Sequence, residues 1–94
     1  MTTRHYDTAE LLDSPAQIAV YAEAALEDGD PRVIVHALGT VARARGMSEI
    51  ARKTGLGRES LYKALSPDGN PSLATVLKVV RALGIRLNAQ AIRR

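Results

Sequence analysis

The chain has 94 residues, of which 46% are hydrophobic, so it is long enough for one domain and too apolar for a wholly disordered protein. It contains no cysteine, which excludes disulfides and thiolate metal sites and is typical of the reducing cytoplasm. No apolar run is long enough for a membrane span, and the N-terminus lacks the apolar stretch of a signal peptide. We expect one cytoplasmic domain with an aliphatic core, because only 3% of the residues are aromatic.

The net charge of +3 conceals an uneven distribution along the chain. Residues 1–42 carry two arginines and seven acidic residues, a net charge of −5. Residues 43–94 carry eleven basic and three acidic residues, a net charge of +8. This asymmetry predicts that the two halves face different partners, the alternative being that both are ordinary solvated surface.

Helices in the N-terminal third are predicted from start signals followed by apolar residues at helical spacing. An Asp-Thr-Ala-Glu capping box at residues 7–10 predicts a helical turn or two, up to Leu12. Ser14 and Pro15 predict the start of a longer helix, because serine caps and proline fits the first helical position, and Gly29 predicts its end. The apolar face of this helix would comprise Ile18, Tyr21, Ala22, Ala25 and Leu26.

Two further helices are predicted by the same reasoning. Asp30 and Pro31 start a helix that Gly46 ends, with the apolar face Ile34, Ala37, Leu38 and Val41. A Pro-Asp-Gly-Asn-Pro loop then precedes Ser72, which starts a last helix that Gly84 closes. The apolar face of this last helix would comprise Leu73, Val76, Leu77, Val80 and Leu83.

The hydrophobic period changes after Gly84. Apolar and polar residues alternate from Ile85 to Ala91, which is a strand pattern. No second strand is predicted within the chain, and an unpaired strand edge pairs readily with another chain. A two-fold axis would supply an identical strand, so we expect a homodimer.

The stretch MSEIARKTGLGRESLYKALS, residues 47–66, predicts two short helices separated by a tight turn. Gly55 can adopt a positive φ, which ends the first helix, Met47 to Thr54, sharply. Leu56 is expected to plug the angle before the second helix, Arg58 to Leu65. The spacing resembles the helix-turn-helix signature at Ile50, Ala51, Gly55, Leu56, Leu61, Ala64 and Leu65. The alternative is an ordinary helical hairpin with a solvated charged face.

A longer resemblance covers nearly the whole chain. The segments GTVARARGMSEIARKTGLGRESLYKALSPDGNPSLATVLKVVRALGIRL and YDTAELLDSPAQIAVYAEAALEDGDP look like the small prophage-type DNA-binding proteins known as addiction-module antidotes. The resemblance implies an all-α, lambda-repressor-like helix-turn-helix fold. It also implies an antitoxin of a type II toxin–antitoxin module that represses its own operon and neutralises a small, basic, RelE/ParE-like toxin.

The chain departs from the lambda-repressor-like pattern in two places. That class commonly carries glutamine at the first motif position, where it contacts phosphate, whereas this chain has Met47. The class usually also has a further helix after the one that ends here at Gly84, whereas this chain has only a strand-like tail. We therefore expect the helix from Pro15 to Asp28 to cover the core instead.

The second helix of the motif carries the candidate base-reading residues. Arg58 lies at its N-terminal tip, where a recognition helix meets base edges and where arginine can pair bidentately with guanine. Glu59 can accept from cytosine, and Lys63 can reach guanine or phosphate. The alternative for these two is a surface ion pair at i, i+4 spacing. Ser60 and Tyr62 flank this face as further DNA-binding candidates, although Tyr62 could instead pack against the apolar rim.

The candidate phosphate contacts are Arg52 and Lys53, on the outer face of the first motif helix, and Asn70 in the following loop. On the acidic half, Glu23, Glu27 and Asp28 fall on the outer side of their helix. We expect these three to face the basic toxin, because complementary charge speeds encounter. The alternative is that they merely solvate the helix.

No catalytic constellation, cofactor motif or metal-ligand spacing is present, and we expect a protein that is not an enzyme and needs no cofactor or metal. His5 and His36 lack ligand spacing and are interpreted as surface or boundary residues.

We divide the chain into an N-terminal helical extension (1–30), a helix-turn-helix core (31–84) and a tail (85–94). The predicted partners are double-stranded operator DNA, a toxin and a second copy. The alternative function is a stand-alone prophage-type transcriptional regulator or a protein-interaction adaptor without a toxin.

Overall fold

The computed structural model describes residues 14–92, which form five α-helices and no β-strand. The helices are α1 (Pro15–Asp28), α2 (Pro31–Arg45), α3 (Met47–Thr54), α4 (Arg58–Ala64) and α5 (Leu73–Ala82). The all-helical class is thus confirmed for the described part of the chain, and every predicted helix in that part begins where the sequence placed it. The helical turn predicted at residues 7–12 lies outside the described residues. No helix between residues 14 and 92 is long and apolar enough to cross a membrane.

The predicted start signals form their local hydrogen bonds. The Ser14 hydroxyl accepts from the Gln17 backbone N–H at 3.2 Å, and the Ser72 hydroxyl accepts from the Thr75 N–H at 3.1 Å. The Asp30 carboxylate accepts a hydrogen bond from the Arg32 backbone N–H at 2.9 Å. These bonds satisfy N–H groups that have no partner within the first turn of a helix, and they explain why the helix starts were readable from sequence.

Each of the five helices supplies at least one large, fully buried side chain to the core. These side chains, each at most 1% exposed, are Ile18, Val41, Ile50, Leu61 and Val79. Helix α3 contacts α2, α4 and α5, while α1 packs along α2. The burial of Ile18 means that α1 covers the core, as we expected from the absence of a further C-terminal helix.

Three leucines assigned to apolar faces are corrected by the structure. Leu26 is 41% exposed, Leu73 is 69% exposed and Leu77 is 42% exposed. Helix α5 turns Val79 into the core instead, together with Val80 and Leu83, which were predicted. The apolar residues of α5 span a wide arc, so its buried side is decided by the helices packed against it rather than by spacing alone.

The strand predicted for the tail is not confirmed, because residues 85–92 form no strand. The alternation nevertheless has a physical cause. Ile85 and Leu87 are partly buried against the core, whereas Arg86 between them is exposed. The tail is tied to the end of α5 by a hydrogen bond from the Ile85 N–H to the Val80 carbonyl at 3.3 Å. A segment that lies on a helical core with every second residue inward has the same period as a paired strand.

Candidate nucleic-acid interface

A three-residue turn joins α3 to α4 and sets where α4 begins. Gly55 has a φ of 78°, in the left-handed region that glycine adopts without steric cost, and its N–H donates to the Ala51 carbonyl at 3.0 Å. The next N–H, that of Leu56, donates to the Thr54 hydroxyl at 3.2 Å, and the Leu56 side chain is half-buried against the core. The turn is therefore held by backbone, hydroxyl and apolar contacts, and α3 ends abruptly.

Helix α4 divides its side chains between the core and the solvent. Leu61 is 0% exposed, and Leu65, just after the helix, is 3% exposed. All the candidate DNA-binding residues of this helix are exposed, namely Arg58, Glu59, Ser60, Tyr62 and Lys63. The apolar anchor thus presents every candidate of α4 outward, as the helical wheel predicts.

The exposed side chains of α4 differ in the partners that they find. Arg58 Cζ lies 5.5 Å from the centre of the Tyr62 ring. Tyr62 is 42% exposed, so it is not buried in the apolar rim, and the Arg58 guanidinium lies over its ring. Within residues 14–92, no ion pair joins Glu59 to Lys63, so the surface pair considered as their alternative role is absent there.

The two phosphate candidates of α3 share one carboxylate. Glu49 Oε2 lies 2.6 Å from an Arg52 guanidinium nitrogen and 3.7 Å from Lys53 Nζ. The sequence analysis did not single out Glu49, although its i, i+3 and i, i+4 spacing to these two basic residues is a readable signal. A DNA phosphate that binds Arg52 or Lys53 must therefore compete with Glu49.

The loop after α4 lies close against the end of that helix. The Ser66 hydroxyl donates to the Lys63 carbonyl at 2.8 Å, and the Gly69 N–H donates to the Ser66 carbonyl, also at 2.8 Å. A Cβ atom at Gly69 would overlap the Ala64 carbonyl and lie 2.7 Å from the Lys63 carbonyl oxygen, so the loop requires glycine there. Asn70 is exposed beside it, next to the C-terminal end of α4.

Met47, at the motif position where glutamine is common in lambda-repressor-like proteins, is 5% exposed and belongs to the core. Its side chain therefore packs rather than pointing to a phosphate. This explains the departure in physical terms, because a thioether fills irregular apolar space and offers no strong hydrogen bond.

A further basic surface lies between α3 and α5 and shares Lys53 with the candidate interface. The open groove between α3 and α5 is lined by Lys53, Lys78 and Arg81, together with Leu77. Each of the three basic side chains is exposed, and Leu77 is 42% exposed between them. The groove thus combines positive charge with an accessible apolar side chain, a combination that the sequence analysis did not identify.

The acidic candidates Glu23, Glu27 and Asp28 are all exposed on α1, on the outer side predicted for them. His36 is exposed on α2, as a surface histidine would be, whereas His5 lies outside the described residues. Among residues 14–92, no group of three or more His, Asp or Glu side chains could hold a metal ion. The exposed acidic residues of α1 therefore form a charged helix surface and not a metal site.

The relationship of the chain to known proteins agrees with the resemblance seen in its sequence. A family model described as "Probable addiction module antidote protein" matches residues 2–91. The chain belongs to this family. A protein of Haemophilus influenzae, named only as uncharacterized, is 47% identical over 87 residues, which cover 93% of this chain and 90% of the relative. No solved structure matches the chain. Membership in the antidote family confirms the predicted resemblance at family level, and the lambda-repressor-like class remains a prediction.

Proposed function

We propose that the protein is the antitoxin of a type II toxin–antitoxin module that binds operator DNA through α3 and α4. The observation that carries the proposal is the exposed face of α4. Arg58, Glu59 and Lys63 all face solvent there, and no ion pair within residues 14–92 involves any of them. Three charged side chains held outward on a helix whose other side is buried are suited to reading base edges in a major groove.

The roles of the DNA-binding residues follow from their chemistry. Arg58 pairs bidentately with a guanine, Glu59 accepts from a cytosine amino group, and Lys63 reaches guanine or phosphate. Arg52, Lys53 and Asn70 contact phosphates, which position the protein without specifying sequence. Ser60 and Tyr62 flank the base-reading face. Repression of its own operon would follow from occupancy of the operator, with no catalytic step.

Two copies of the chain would act together, because helix-turn-helix proteins gain affinity from two half-sites one helical turn apart. The unpaired strand from which the sequence analysis predicted a dimer does not form in residues 85–92, so the proposed dimer rests on the two half-sites alone. We expect sedimentation at micromolar concentration to give the mass of a dimer. A protein that stays monomeric both free and on DNA would contradict this part of the proposal.

An antidote family implies a cognate toxin, and we place the toxin contact on α1. Glu23, Glu27 and Asp28 are exposed on that helix and would face a small basic toxin of the RelE/ParE-like type. This arrangement uses the acidic half of the chain for the protein partner and the basic half for DNA.

The proposal is tested by measuring binding of the Arg58→Ala variant to the DNA upstream of its own gene and to random DNA of equal length. We expect a loss of about 1–3 kcal/mol on the operator and little loss on random DNA, because one bidentate base contact disappears. The matched control is Arg52→Ala, which should weaken binding to both DNAs alike and reduce the salt slope by about one unit. An unchanged ratio of operator to random affinity in Arg58→Ala would contradict base reading by α4.

The groove between α3 and α5 favours a second candidate function, an adaptor that binds an acidic protein segment. Lys53, Lys78 and Arg81 supply positive charge around the exposed Leu77, which suits an acidic segment with one apolar side chain. The Lys78→Glu, Arg81→Glu double variant distinguishes the two functions. If the protein acts through α4, the variant should weaken binding to operator and random DNA by the same factor and leave the ratio of the two affinities unchanged, because only general positive charge is lost. If the protein is an adaptor, the variant should lose the acidic partner.

A further inference from the structure

Arg58 and Tyr62 lie one helical turn apart on the exposed side of α4, with 5.5 Å between the guanidinium carbon and the ring centre. We propose that Tyr62 is a positioning residue for Arg58, whose ring holds the guanidinium ready for a guanine edge before DNA arrives. The inference rests on the proposed function, namely that α4 reads DNA bases. It assigns to Tyr62 a role that acts through a neighbouring side chain rather than through its own contact with DNA.

The physical basis is the loss of side-chain freedom on binding. An unrestrained arginine samples many rotamers in solvent and must give up that freedom when it makes a bidentate contact. A ring that attracts the guanidinium restricts those rotamers in the free protein. Part of the side-chain entropy that Arg58 loses on binding DNA is then already lost during folding. The protein therefore binds the cognate sequence more tightly.

The ring is suited to this role because it leaves the donors of Arg58 available. An aromatic ring attracts the guanidinium through its quadrupole and offers no lone pair in its face, so it does not occupy the donors as a carboxylate would. A carboxylate partner would instead accept hydrogen bonds from those donors and lower the net charge. Arg58 has no such partner, since no ion pair within residues 14–92 includes it.

Arg52 provides the contrast within the same motif. Its terminal guanidinium nitrogen donates to Glu49 at 2.6 Å, so its orientation is set by a bond that occupies a donor. An arginine held in this way suits exchange with a phosphate, which offers the same kind of acceptor oxygen. Arg58, held by a ring, suits a base edge that requires two free donors at once. Arg52 is therefore suited to bind a DNA phosphate, and Arg58 is suited to bind a base edge.

The contact depends on the face of the ring and not on the hydroxyl, which makes the inference specific. Tyr62→Phe keeps an aromatic face of the same size, whereas Tyr62→Leu keeps apolar bulk and removes the aromatic face. We expect Tyr62→Phe to retain the ratio of operator to random DNA affinity. We expect Tyr62→Leu to lower that ratio about twofold to fivefold, the fold-change that corresponds to an exposed cation–π contact.

The experiment is a double-mutant cycle of Arg58→Ala and Tyr62→Leu, read as affinity for operator and random DNA. The expected result is that Tyr62→Leu has no further effect once Arg58 is removed. An equal loss from Tyr62→Leu in the Arg58→Ala background would overturn the inference, because Tyr62 would then contact DNA itself. Equal losses from Tyr62→Phe and Tyr62→Leu would overturn it too, by assigning the effect to the hydroxyl.

A measurement without DNA separates this inference from the proposed function. The δ protons of Arg58 should show a ring-current shift by NMR in the wild-type protein and in Tyr62→Phe, and the shift should vanish in Tyr62→Leu. An absent shift in the wild-type protein means that the pair does not form, whatever the protein binds. A normal shift with no effect of Arg58→Ala on the affinity ratio means instead that base reading by α4 fails, and the positioning role fails with it. Melting temperatures of all variants verify folding.

Discussion

Glu49 illustrates how one side chain sets the chemistry of its neighbours. Its carboxylate holds Arg52 at 2.6 Å and Lys53 at 3.7 Å, and all three side chains are substantially exposed. Exposed pairs of this kind add little to folding stability. Their consequence would lie in binding, because a carboxylate next to the two proposed phosphate contacts would repel the DNA backbone and occupy the donors that the backbone needs.

The first prediction concerns removal of that carboxylate. Glu49→Gln should strengthen binding to operator and random DNA by the same factor and steepen the salt slope by up to about one unit, because a more positive surface neutralises more phosphate charge. Fluorescence anisotropy across a salt series measures both quantities.

The control for Glu49→Gln is Glu59→Gln on α4, which removes the same charge from the base-reading face. This control should change operator affinity more than random-DNA affinity. A Glu49→Gln variant whose affinity for random DNA equals that of the wild type would mean that Arg52 and Lys53 do not contact phosphate.

At the scale of elements, α4 depends on the rest of the fold. It has seven residues, from Arg58 to Ala64, and a helix this short is not stable alone in water. Its N-terminal end carries no side-chain cap, so the fully buried Leu61 and the nearly buried Leu65 hold the helix against α3. The orientation of the exposed face of α4 is thus a property of the core beneath it.

The second prediction follows from that dependence. Leu61→Ala should destabilise the protein by about 2–5 kcal/mol, because it removes apolar contacts and leaves a cavity below α4. Thermal unfolding followed by circular dichroism should show a clearly lowered melting temperature together with lost operator binding. Lys63→Ala, on the opposite side of the same helix, should weaken DNA binding with a nearly unchanged melting temperature. A Leu61→Ala protein as stable as the wild type would contradict the described core.

The third prediction concerns pH and the start of α2. The Arg32 side chain donates a hydrogen bond to Asp30, and its backbone N–H donates another, and these bonds lower the pKa of Asp30 below its ordinary value of 3.8. A carboxyl with a depressed pKa in the folded state stabilises the protein fully above its unfolded pKa. The stabilisation is lost as the pH falls through the folded value.

Asp30→Asn tests this linkage, because asparagine also caps helices but carries no charge. We expect the wild type to melt at a higher temperature than the variant at pH 7, and the difference to shrink as the pH is lowered below 3.8. Comparing the two proteins at each pH cancels the titration of the other acidic groups. A difference that is the same at pH 7 and pH 3 would contradict a role for the ionised carboxylate.

At the scale of the whole molecule, acidic residues dominate α1 and basic residues dominate α3, α4 and α5. The exposed acids of α1 belong to the half with a net charge of −5, and α3, α4 and α5 belong to the half with +8. One small domain thereby offers separate surfaces of opposite sign, which allows DNA and a basic protein to be bound by different elements.

The fourth prediction tests that separation. The Glu23→Lys, Glu27→Lys double variant should slow association with the toxin that the proposed function requires by about tenfold at low salt, because electrostatic steering is reversed. Its operator binding should stay close to that of the wild type. Stopped-flow association and anisotropy measure the two interactions.

The control for this variant is Asp68→Lys, an exposed charge reversal in the loop of the basic half. It should leave the association rate with the toxin nearly unchanged. The double variant changes the net charge by four units and Asp68→Lys by two, so half the logarithmic slowing in Asp68→Lys would mean that total charge, rather than the α1 surface, governs the encounter. An unchanged rate in the double variant would remove α1 from the toxin contact.

The sequence by itself determined the helix starts and the tight turn, because both depend on interactions between residues at most four positions apart. Ser14, Asp30 and Ser72 cap their helices through bonds to nearby N–H groups, and Gly55 adopts the left-handed conformation expected of it. The exposure of the α4 candidates was also predictable, since Leu61 and Leu65 define the buried side. The shared carboxylate of Glu49 was equally local, and its spacing made it readable.

Only the tertiary structure decided which apolar residues are buried where a helix or segment offers several. Leu73 and Leu77 face solvent while Val79 is buried, because α3 and α2 pack on the other side of α5. Met47 lies in the core, and Ile85 and Leu87 pack on the helices instead of pairing as a strand. The physical reason is that burial depends on contacts between residues distant in the chain. Apolar spacing predicts that one face of a helix or segment is buried, but it does not predict which element packs against that face.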